Sequence, residues 1–136
     1  MEIKADCLHF LGDRPCEPHK REGVHCDDCP HYEPVDKRIL IIKLGAMGDV
    51  IRTTPLIRKL REVWPKAEIS WLTYHPELIP PQIDYVLPFE PKHVLPLLAD
   101  HFDVIYNLDK DKEACAVASL AQATLKKGFT LNRGRC

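Results

Sequence analysis

The hydrophobic pattern of the chain becomes regular only after residue 36, where residues 38–43 form a continuous apolar run, RILIIK. A short run without polar alternation predicts a strand that is buried on both faces, as in a parallel sheet. Further along, Ile57, Leu60 and Trp64 recur at helical spacing, and the positions between them are largely basic. This spacing predicts an amphipathic helix, for which Thr54 is the expected N-terminal cap.

The remainder of the chain continues as alternating strands and helices. The pattern predicts further strands at residues 68–73, 85–87, 102–108 and 128–131, and further helices at residues 91–101 and 113–127. Pro96 is expected to interrupt the first of these helices, and Gly128 to end the second. Such alternation is typical of an α/β fold, a Rossmann-like parallel sheet with flanking helices. Because ligands of such sheets bind beyond the carboxyl ends of the strands, the candidate ligand loops are residues 44–49, 73–77 and 109–112.

Residues 1–36 differ from residues 37–136 and are predicted to form a small, irregular, Cys-rich segment. They carry four of the six cysteines, Cys7, Cys16, Cys26 and Cys29, and only the last two have the spacing of a metal knuckle. Four thiolates suit a structural zinc site, with an iron–sulfur cluster as the second interpretation and no metal as the third. A histidine such as His25 is a further candidate ligand. A metal would replace the hydrophobic core that so short a segment lacks.

Composition and charge exclude several classes of protein. The 136 residues are 45% hydrophobic and 29% charged, which is typical of a globular chain, and the net charge is −1. Without a basic surplus, a nucleic-acid partner is not expected. The N-terminal residues lack the apolar run of a signal peptide, and no stretch approaches the roughly 18 apolar residues of a membrane span. The sequence therefore predicts a cytoplasmic location.

The loop after the first predicted strand, Lys43-Leu-Gly-Ala-Met-Gly-Asp49, carries the candidate chemistry. Gly45 and Gly48 allow a tight turn and the close approach of a ligand, while Lys43 adds a cation. Asp49 would repel a phosphate, so it suits the deprotonation of an attacking hydroxyl as general base. In the competing interpretation Asp49 only caps a helix and the glycines only make a turn. The G-x-x-G spacing departs from the nicotinamide-binding fingerprint G-x-G-x-x-G.

Residues 38–56, RILIIKLGAMGDVIRTTPL, resemble the opening of the heptosyltransferase family, which is glycosyltransferase family nine. The resemblance continues through residues 67–73, 83–86 and 102–109. It implies the N-terminal half of a GT-B fold, in which two Rossmann-like domains face each other across a cleft. In that family the N-terminal domain binds the acceptor, the growing inner core of lipopolysaccharide, and the C-terminal domain binds ADP-heptose. Transfer inverts the anomeric centre, and no catalytic metal is expected.

The resemblance also implies roles for individual residues. The family's general-base aspartate falls on Asp49, and its strand-end lysine, which lies near phosphate, falls on Lys43. The expected substrate-binding residues are Gly45, Gly48, Arg52 and Thr53. Of the remaining residues, Asp109 and Asp111 are expected to form a solvated turn, with contact to the acceptor or a part in shaping the cleft as the second interpretation. Trp71 and Cys115 are expected to pack in the core.

The position of the last residue affects the predicted activity of the chain. Because the chain stops at Cys136, just after the fifth predicted strand, the donor-binding domain is expected to be missing and the chain alone to be inactive. The partners expected for the whole enzyme are a nucleotide-sugar donor, a lipopolysaccharide-type acceptor and a peripheral contact with the inner membrane. The alternative function is a metal-binding interaction module without catalysis. A fragment of a nicotinamide-dependent oxidoreductase is disfavoured by the missing fingerprint.

Overall fold

The computed structural model describes residues 3–11, 14–45 and 47–131, apart from the side chains of residues 47, 49 and 50. The chain forms two compact units, Met1–Asp36 and Lys37–Cys136. No helix in the described ranges is both long enough and apolar enough to cross a membrane.

The Met1–Asp36 unit contains little regular structure. Its helix α1 spans Glu17–Glu22 and ends at Gly23, which has the left-handed φ of 69° that a C-terminal glycine adopts readily. A 3₁₀ turn follows at Cys26–Asp28. The first and last parts of the unit meet in an antiparallel bridge between Cys7 and Pro34.

The Lys37–Cys136 unit is an alternating α/β structure. Its strands are β1 (Arg38–Ile42), β2 (Glu68–Thr73), β3 (Tyr85–Pro88), β4 (His101–Asn107) and β5 (Gln122–Gly128). Its helices are α2 (Met47–Arg52), α3 (Thr54–Val63), α4 (Pro91–Ala99) and α5 (Lys112–Leu120), with a 3₁₀ turn at Pro76–Leu78. All strand pairs are parallel, in the order β3-β2-β1-β4-β5. The predicted Rossmann-like parallel sheet is confirmed.

Strand β1 lies at the centre of the sheet because it supplies apolar side chains to both faces. Ile39 and Ile41 pack on the face covered by α3, whose Ile57 and Leu60 are buried there. The alternate residues of β1, Leu40 and Ile42, belong to the opposite cluster, which includes buried residues of α4 and α5. Two covered faces are the physical reason for the uninterrupted apolar run that marked this strand in the sequence.

The C-terminal part of the unit corrects one prediction. Helix α5 ends at Leu120 rather than continuing to residue 127, and the fifth strand begins at Gln122 rather than at residue 128. Residues 122–128 have the alanine, leucine and lysine content of a helix, yet they pair in parallel with β4 from His101 to Asn107. The hydrogen bonds of a sheet edge outweigh a local helix preference of this small size.

The junction between α2 and α3 is a second, smaller difference. The cap of α3 is Thr53, not the predicted Thr54, and no side-chain hydrogen bond closes that cap. Pro55 lies in the first turn of α3, where a missing amide hydrogen costs nothing. The six-residue α2 ends one residue before this cap, so a break separates two helices that the sequence places almost continuously.

Candidate functional site

The candidate site lies where the order of the strands reverses, at the carboxyl ends of β1 and β4. These two strands are neighbours in the sheet although β2 and β3 lie between them in sequence. The crevice at such a reversal is where open α/β sheets bind ligands. The chain leaves β1 through Lys43, Leu44 and Gly45, and it leaves β4 through Leu108 and Asp109.

Lys43 and Asp109 form a buried ion pair across this reversal. The Nζ atom of Lys43 lies 3.7 Å from Oδ2 of Asp109, and their side chains are only 9% and 11% exposed. The backbone of Lys43 is fixed as well, because its carbonyl oxygen accepts a hydrogen bond from the indole nitrogen of Trp71 at 3.1 Å. Trp71 itself is fully buried, as predicted. The cation therefore projects from a rigid strand end.

Asp109 also holds the loop that follows Lys43. Its Oδ2 accepts hydrogen bonds from the backbone amides of Leu44 at 3.0 Å and Gly45 at 3.3 Å. Burial by itself raises the pKa of Asp109, but the two amides and the Lys43 ammonium together hold the pKa below its ordinary value. Asp109 is thus an ionised anchor for the loop, which corrects the expectation of a solvated turn.

Asn107 positions Asp109 in turn. The side-chain oxygen of Asn107 accepts a hydrogen bond from the amide of Asp109 at 3.0 Å, and its side-chain nitrogen donates to the carbonyl of Phe129 at 2.7 Å. The predicted core residue Cys115 is fully buried beside this pair, with its sulfur 3.6 Å from the Asn107 nitrogen. Strand β4, its following loop and the end of β5 are therefore connected at the same edge.

The loop after β2 contacts the loop after β1 at the carboxyl ends of the strands, on the side of β1 opposite to β4. The amide of Tyr74 donates to the carbonyl of Leu44 at 2.9 Å, and the Tyr74 hydroxyl donates to Glu113 of α5 at 2.6 Å. Partial burial and the hydrogen bond to Glu113 raise the pKa of Tyr74 to about 12. The same hydrogen bond lowers the pKa of Glu113. Tyr74 and Glu113 thus link the loop after β2 with the start of α5.

The other predicted site residues occupy the segment from Gly45 to Thr53. An added Cβ at Gly45 or Gly48 would meet no described atom within 4 Å, so both positions can accommodate a ligand close to the backbone. Arg52 is exposed at the end of α2, and Thr53 is buried with 6% exposure. The backbone of Asp49 lies in α2, but its side chain is outside the described residues.

The four predicted metal ligands are gathered separately, within the Met1–Asp36 unit. Cys7, Cys16, Cys26 and Cys29 are free, partly buried cysteines that line one cavity. Among the described residues, no three histidine, cysteine or acidic side chains are grouped closely enough to hold a single metal ion. The zinc prediction therefore gains no support from the geometry and stays a prediction.

Asp109 is a site residue whose role the sequence pattern indicates only weakly. Its position directly after a predicted strand was visible, but its partners Leu44 and Gly45 lie 65 and 64 residues away in the chain. The one available signal was the carboxylate itself, placed directly after the end of a predicted strand. Local pattern does not distinguish such a residue from a solvated turn, because both are polar and both follow a strand.

Comparison with known proteins shows similarity at the level of the fold. No protein-family model and no curated protein matches the chain. A crystal structure of a family 9 glycosyl transferase from Veillonella parvula DSM 2008 matches with a TM-score of 0.56 and 22% identity, over 74% of this chain and 34% of that one. E. coli heptosyltransferase WaaC with ADP matches with a TM-score of 0.55 and 20% identity, over 65% of this chain and 33% of that one.

The same E. coli enzyme with ADP-2-deoxy-2-fluoro heptose matches with a TM-score of 0.53 and 20% identity, over 65% of this chain and 35% of that one. The chain thus spans about a third of the length of each of these structures. The fold implied by the sequence resemblance is confirmed.

Proposed function

We propose that the Lys37–Cys136 unit is the acceptor-side half of a heptosyltransferase-like glycosyltransferase. The reaction moves a sugar from a nucleotide-sugar donor, ADP-heptose, to a lipopolysaccharide-type acceptor, with inversion at the anomeric carbon. The observation that supports this function most directly is the buried pair of Lys43 and Asp109 at the strand reversal, directly before the helix that carries Asp49. The similarity in fold to the family 9 structures supports it independently.

Lys43 supplies positive charge where this reaction needs it. In an inverting displacement, negative charge develops on the departing diphosphate, and a fixed cation at a water-poor site stabilises it without reorganising. The Lys43 side chain is 9% exposed and is oriented by Asp109, so its position is determined before any substrate binds. Preorganisation of this kind makes a cation more effective than a mobile surface lysine.

Asp109 positions the loop that leads from β1 to the proposed general base, Asp49. By binding the amides of Leu44 and Gly45, it fixes the backbone two residues before α2 begins at Met47. Asp49 lies in the first turn of α2, and there it deprotonates the acceptor hydroxyl as that oxygen attacks the anomeric carbon. Asp109 itself is a poor base, because a carboxylate with a lowered pKa binds a proton weakly and its Oδ2 already accepts hydrogen bonds from two amides.

The small residues of the loop after β1 leave space for a substrate. The glycines at positions 45 and 48 leave room for an acceptor sugar beside the backbone. Arg52 is the last residue of α2, the helix that carries Asp49, and Thr53 lies between α2 and α3. We therefore assign these two residues to the acceptor, with Arg52 suited to an acidic group of the lipopolysaccharide core.

The complete reaction requires a donor-binding half. Since the chain spans about a third of the matched structures, we propose that further polypeptide supplies that half and that the chain alone does not transfer sugar. We expect the enzyme to act in the cytoplasm, with its acceptor presented at the inner membrane.

The decisive test is the Asp49→Asn variant of the polypeptide that combines this chain with its donor half. Transfer from ADP-heptose to an inner-core lipopolysaccharide acceptor is measured by mass spectrometry of the product. Loss of a general base should lower kcat by a factor of roughly 10²–10⁴ while leaving the acceptor KM nearly unchanged. Asp111→Asn is the matched control, since Asp111 is an exposed carboxylate near the same edge. Wild-type rates in Asp49→Asn would reject the assignment.

A second test examines Lys43 in the same combined polypeptide. The kcat for transfer is measured for the wild type and for Lys43→Met. Loss of the cation that stabilises the departing diphosphate should lower kcat by a factor of roughly 10², whereas Lys59→Met, which removes an exposed cation of α3, should leave kcat unchanged. A normal kcat in Lys43→Met, or an equal loss in both variants, would reject this role of Lys43.

A further inference from the structure

Tyr74 and Glu113 form a second group of polar side chains at the carboxyl edge of the sheet. Tyr74 is the first residue after β2, and Glu113 lies in the first turn of α5. The Tyr74 hydroxyl donates to Oε1 of Glu113 at 2.6 Å. Since α5 follows β4, and β1 lies between β2 and β4 in the sheet, this hydrogen bond joins elements from the two sides of β1.

The position of Tyr74 is fixed by its backbone and by its ring. Its amide donates to the carbonyl of Leu44, in the loop after β1, at 2.9 Å. Its ring meets the ring of Phe89 edge to face, with the centroids 5.3 Å apart. The turn that follows β2 is held as well, because the buried Thr73 hydroxyl accepts from the amide of His75 at 3.0 Å. The orientation of Tyr74 is therefore set before any ligand binds.

The Tyr74 ring nevertheless remains accessible at this edge. Tyr74 is 42% exposed, whereas Trp71, three residues earlier in β2, is fully buried. A tyrosine ring that is held in place offers a rigid contact surface at little cost in conformational entropy. Its apolar body suits the carbon–hydrogen face of a sugar, and its polar tip lies at the end of that surface. Tyr74 thus has the features of a residue that contacts a ligand.

Glu113 supplies hydrogen-bond acceptors next to this ring. It is exposed, and the hydrogen bond from Tyr74 lowers the pKa of Glu113, so the carboxylate is ionised at neutral pH. An ionised carboxylate accepts up to about four hydrogen bonds, of which Tyr74 supplies one. The remaining capacity suits the hydroxyl groups of a sugar, which donate, whereas the negative charge repels an anionic group.

The charges around this pair favour a neutral ligand. Asp109 and Asp111 both contribute to the raised pKa of Tyr74, so negative charge lies near its hydroxyl. Lys110, between them in sequence, lies over the aromatic ring that follows β5, 5.2 Å from its centroid. Lys112 precedes the glutamate on α5, and adjacent residues of a helix do not face each other. The ligand expected here is rich in hydroxyl groups and uncharged where it meets the pair.

We propose that Tyr74 and Glu113 form a subsite for a neutral sugar of the acceptor, in which Glu113 accepts hydrogen bonds from sugar hydroxyls and the Tyr74 ring packs on the apolar face of the sugar. The inference rests on the proposed function only in taking the acceptor to be a glycan. The subsite lies beside the loop that leads to the proposed base, because the Tyr74 amide binds the Leu44 carbonyl. The acceptor sugar at this position is a neutral hexose or heptose rather than a sugar acid.

The test is an NMR titration of the isotope-labelled 136-residue chain with two deacylated core oligosaccharides, one ending in a neutral heptose and one ending in a sugar acid. The wild type should bind the neutral-ended oligosaccharide at least about tenfold more tightly, because the carboxylate repels the acid. Glu113→Gln should weaken that binding about tenfold, since hydrogen bonds to a charged acceptor are stronger than those to a neutral one. Glu77→Gln, which changes an exposed carboxylate in the turn after β2, is the matched control and should bind normally.

Urea unfolding followed by tryptophan fluorescence separates binding from a purely structural contact. Glu113→Gln keeps an oxygen for the Tyr74 hydroxyl, so its urea midpoint should stay within about 0.3 M of wild type while binding weakens. A larger fall in the midpoint would assign the pair a structural role and overturn the subsite.

Three binding results would also overturn the subsite: equal affinity for both oligosaccharides, unchanged affinity in Glu113→Gln, or an equal loss in Glu77→Gln. Absence of binding by the wild type would do the same. In that case, transfer that still depends on Asp49 in the combined polypeptide would show that the proposed function holds without this subsite.

Discussion

Replacing Asp109 by asparagine should destabilise the Lys37–Cys136 unit while keeping the volume of the side chain. The carboxylate accepts two backbone hydrogen bonds, from Leu44 and Gly45, and pairs with Lys43. A hydrogen bond to a charged group contributes about 1.5–3 kcal/mol, against about 0.5–1.5 kcal/mol for a neutral pair. Loss of the charge therefore costs about 1 kcal/mol for each bond.

Loss of the buried ion pair adds to that cost. Removing one partner of a fully buried pair costs about 3–5 kcal/mol. The cost here should be smaller, because the two charges are 3.7 Å apart and the side-chain amide of the new asparagine still offers its dipole to Lys43. We expect a total loss of about 2–3 kcal/mol in the free energy of unfolding. With an m-value of about 1.5 kcal/mol per molar urea, the midpoint should fall by roughly 1.3–2 M.

Tryptophan fluorescence during urea titration measures this change, because Trp64 and Trp71 both report on the Lys37–Cys136 unit. Asp111→Asn is the control, since that exposed carboxylate makes no side-chain cap hydrogen bond and should change stability by less than about 0.5 kcal/mol. If Asp109→Asn changes stability no more than this control, the proposed anchoring of the loop is refuted.

The difference in the free energy of unfolding between wild type and Asp109→Asn should also depend on pH. Since the pKa of Asp109 is lowered in the folded protein, its charge stabilises the fold above the unfolded-state pKa of about 3.9, and this contribution is lost as the pH falls through the folded pKa. The difference in the free energy of unfolding should therefore be constant from pH 7 to about pH 5 and decrease in more acidic solution. A difference that does not decrease there would contradict the ionised state of Asp109.

Three other changes test separate contacts. Gly128→Ala should cost about 2–4 kcal/mol in urea unfolding, because φ is 97° and the new Cβ would lie 1.9 Å from the backbone oxygen of Asn107; normal stability would contradict this close approach. Tyr74→Phe should remove one tyrosine from the alkaline ultraviolet titration near pH 12, and stability that depends on its neutral form should be lost as the pH rises from 10 towards 12. Arg38→Met should raise the lowered pKa of Asp100 towards its ordinary value in an NMR titration, since the guanidinium hydrogen bond is its main cause, and an unchanged pKa would refute that cause.

Much of the candidate site was visible in the sequence because it lies in one continuous segment. Lys43, Gly45, Gly48 and Asp49 follow the first strand within seven residues, and a buried strand followed by a glycine loop is a local signal. Their surroundings were not visible, since Asp109 reaches Leu44 across 65 residues. Hydrogen bonds over such a distance depend on the order of strands in the sheet, which local pattern does not specify.

The sequence by itself determined the elements whose burial imposes a periodic pattern. Strands β1 and β2 and helix α3 lie where the pattern predicts them, because their apolar residues must face a core. Only the tertiary structure decided that residues 122–128 form a strand and that Asp109 is an ionised anchor. In both cases the free energy comes from partners distant in the chain, namely the edge of β4 and the amides after β1, and it exceeds the preference of the local segment.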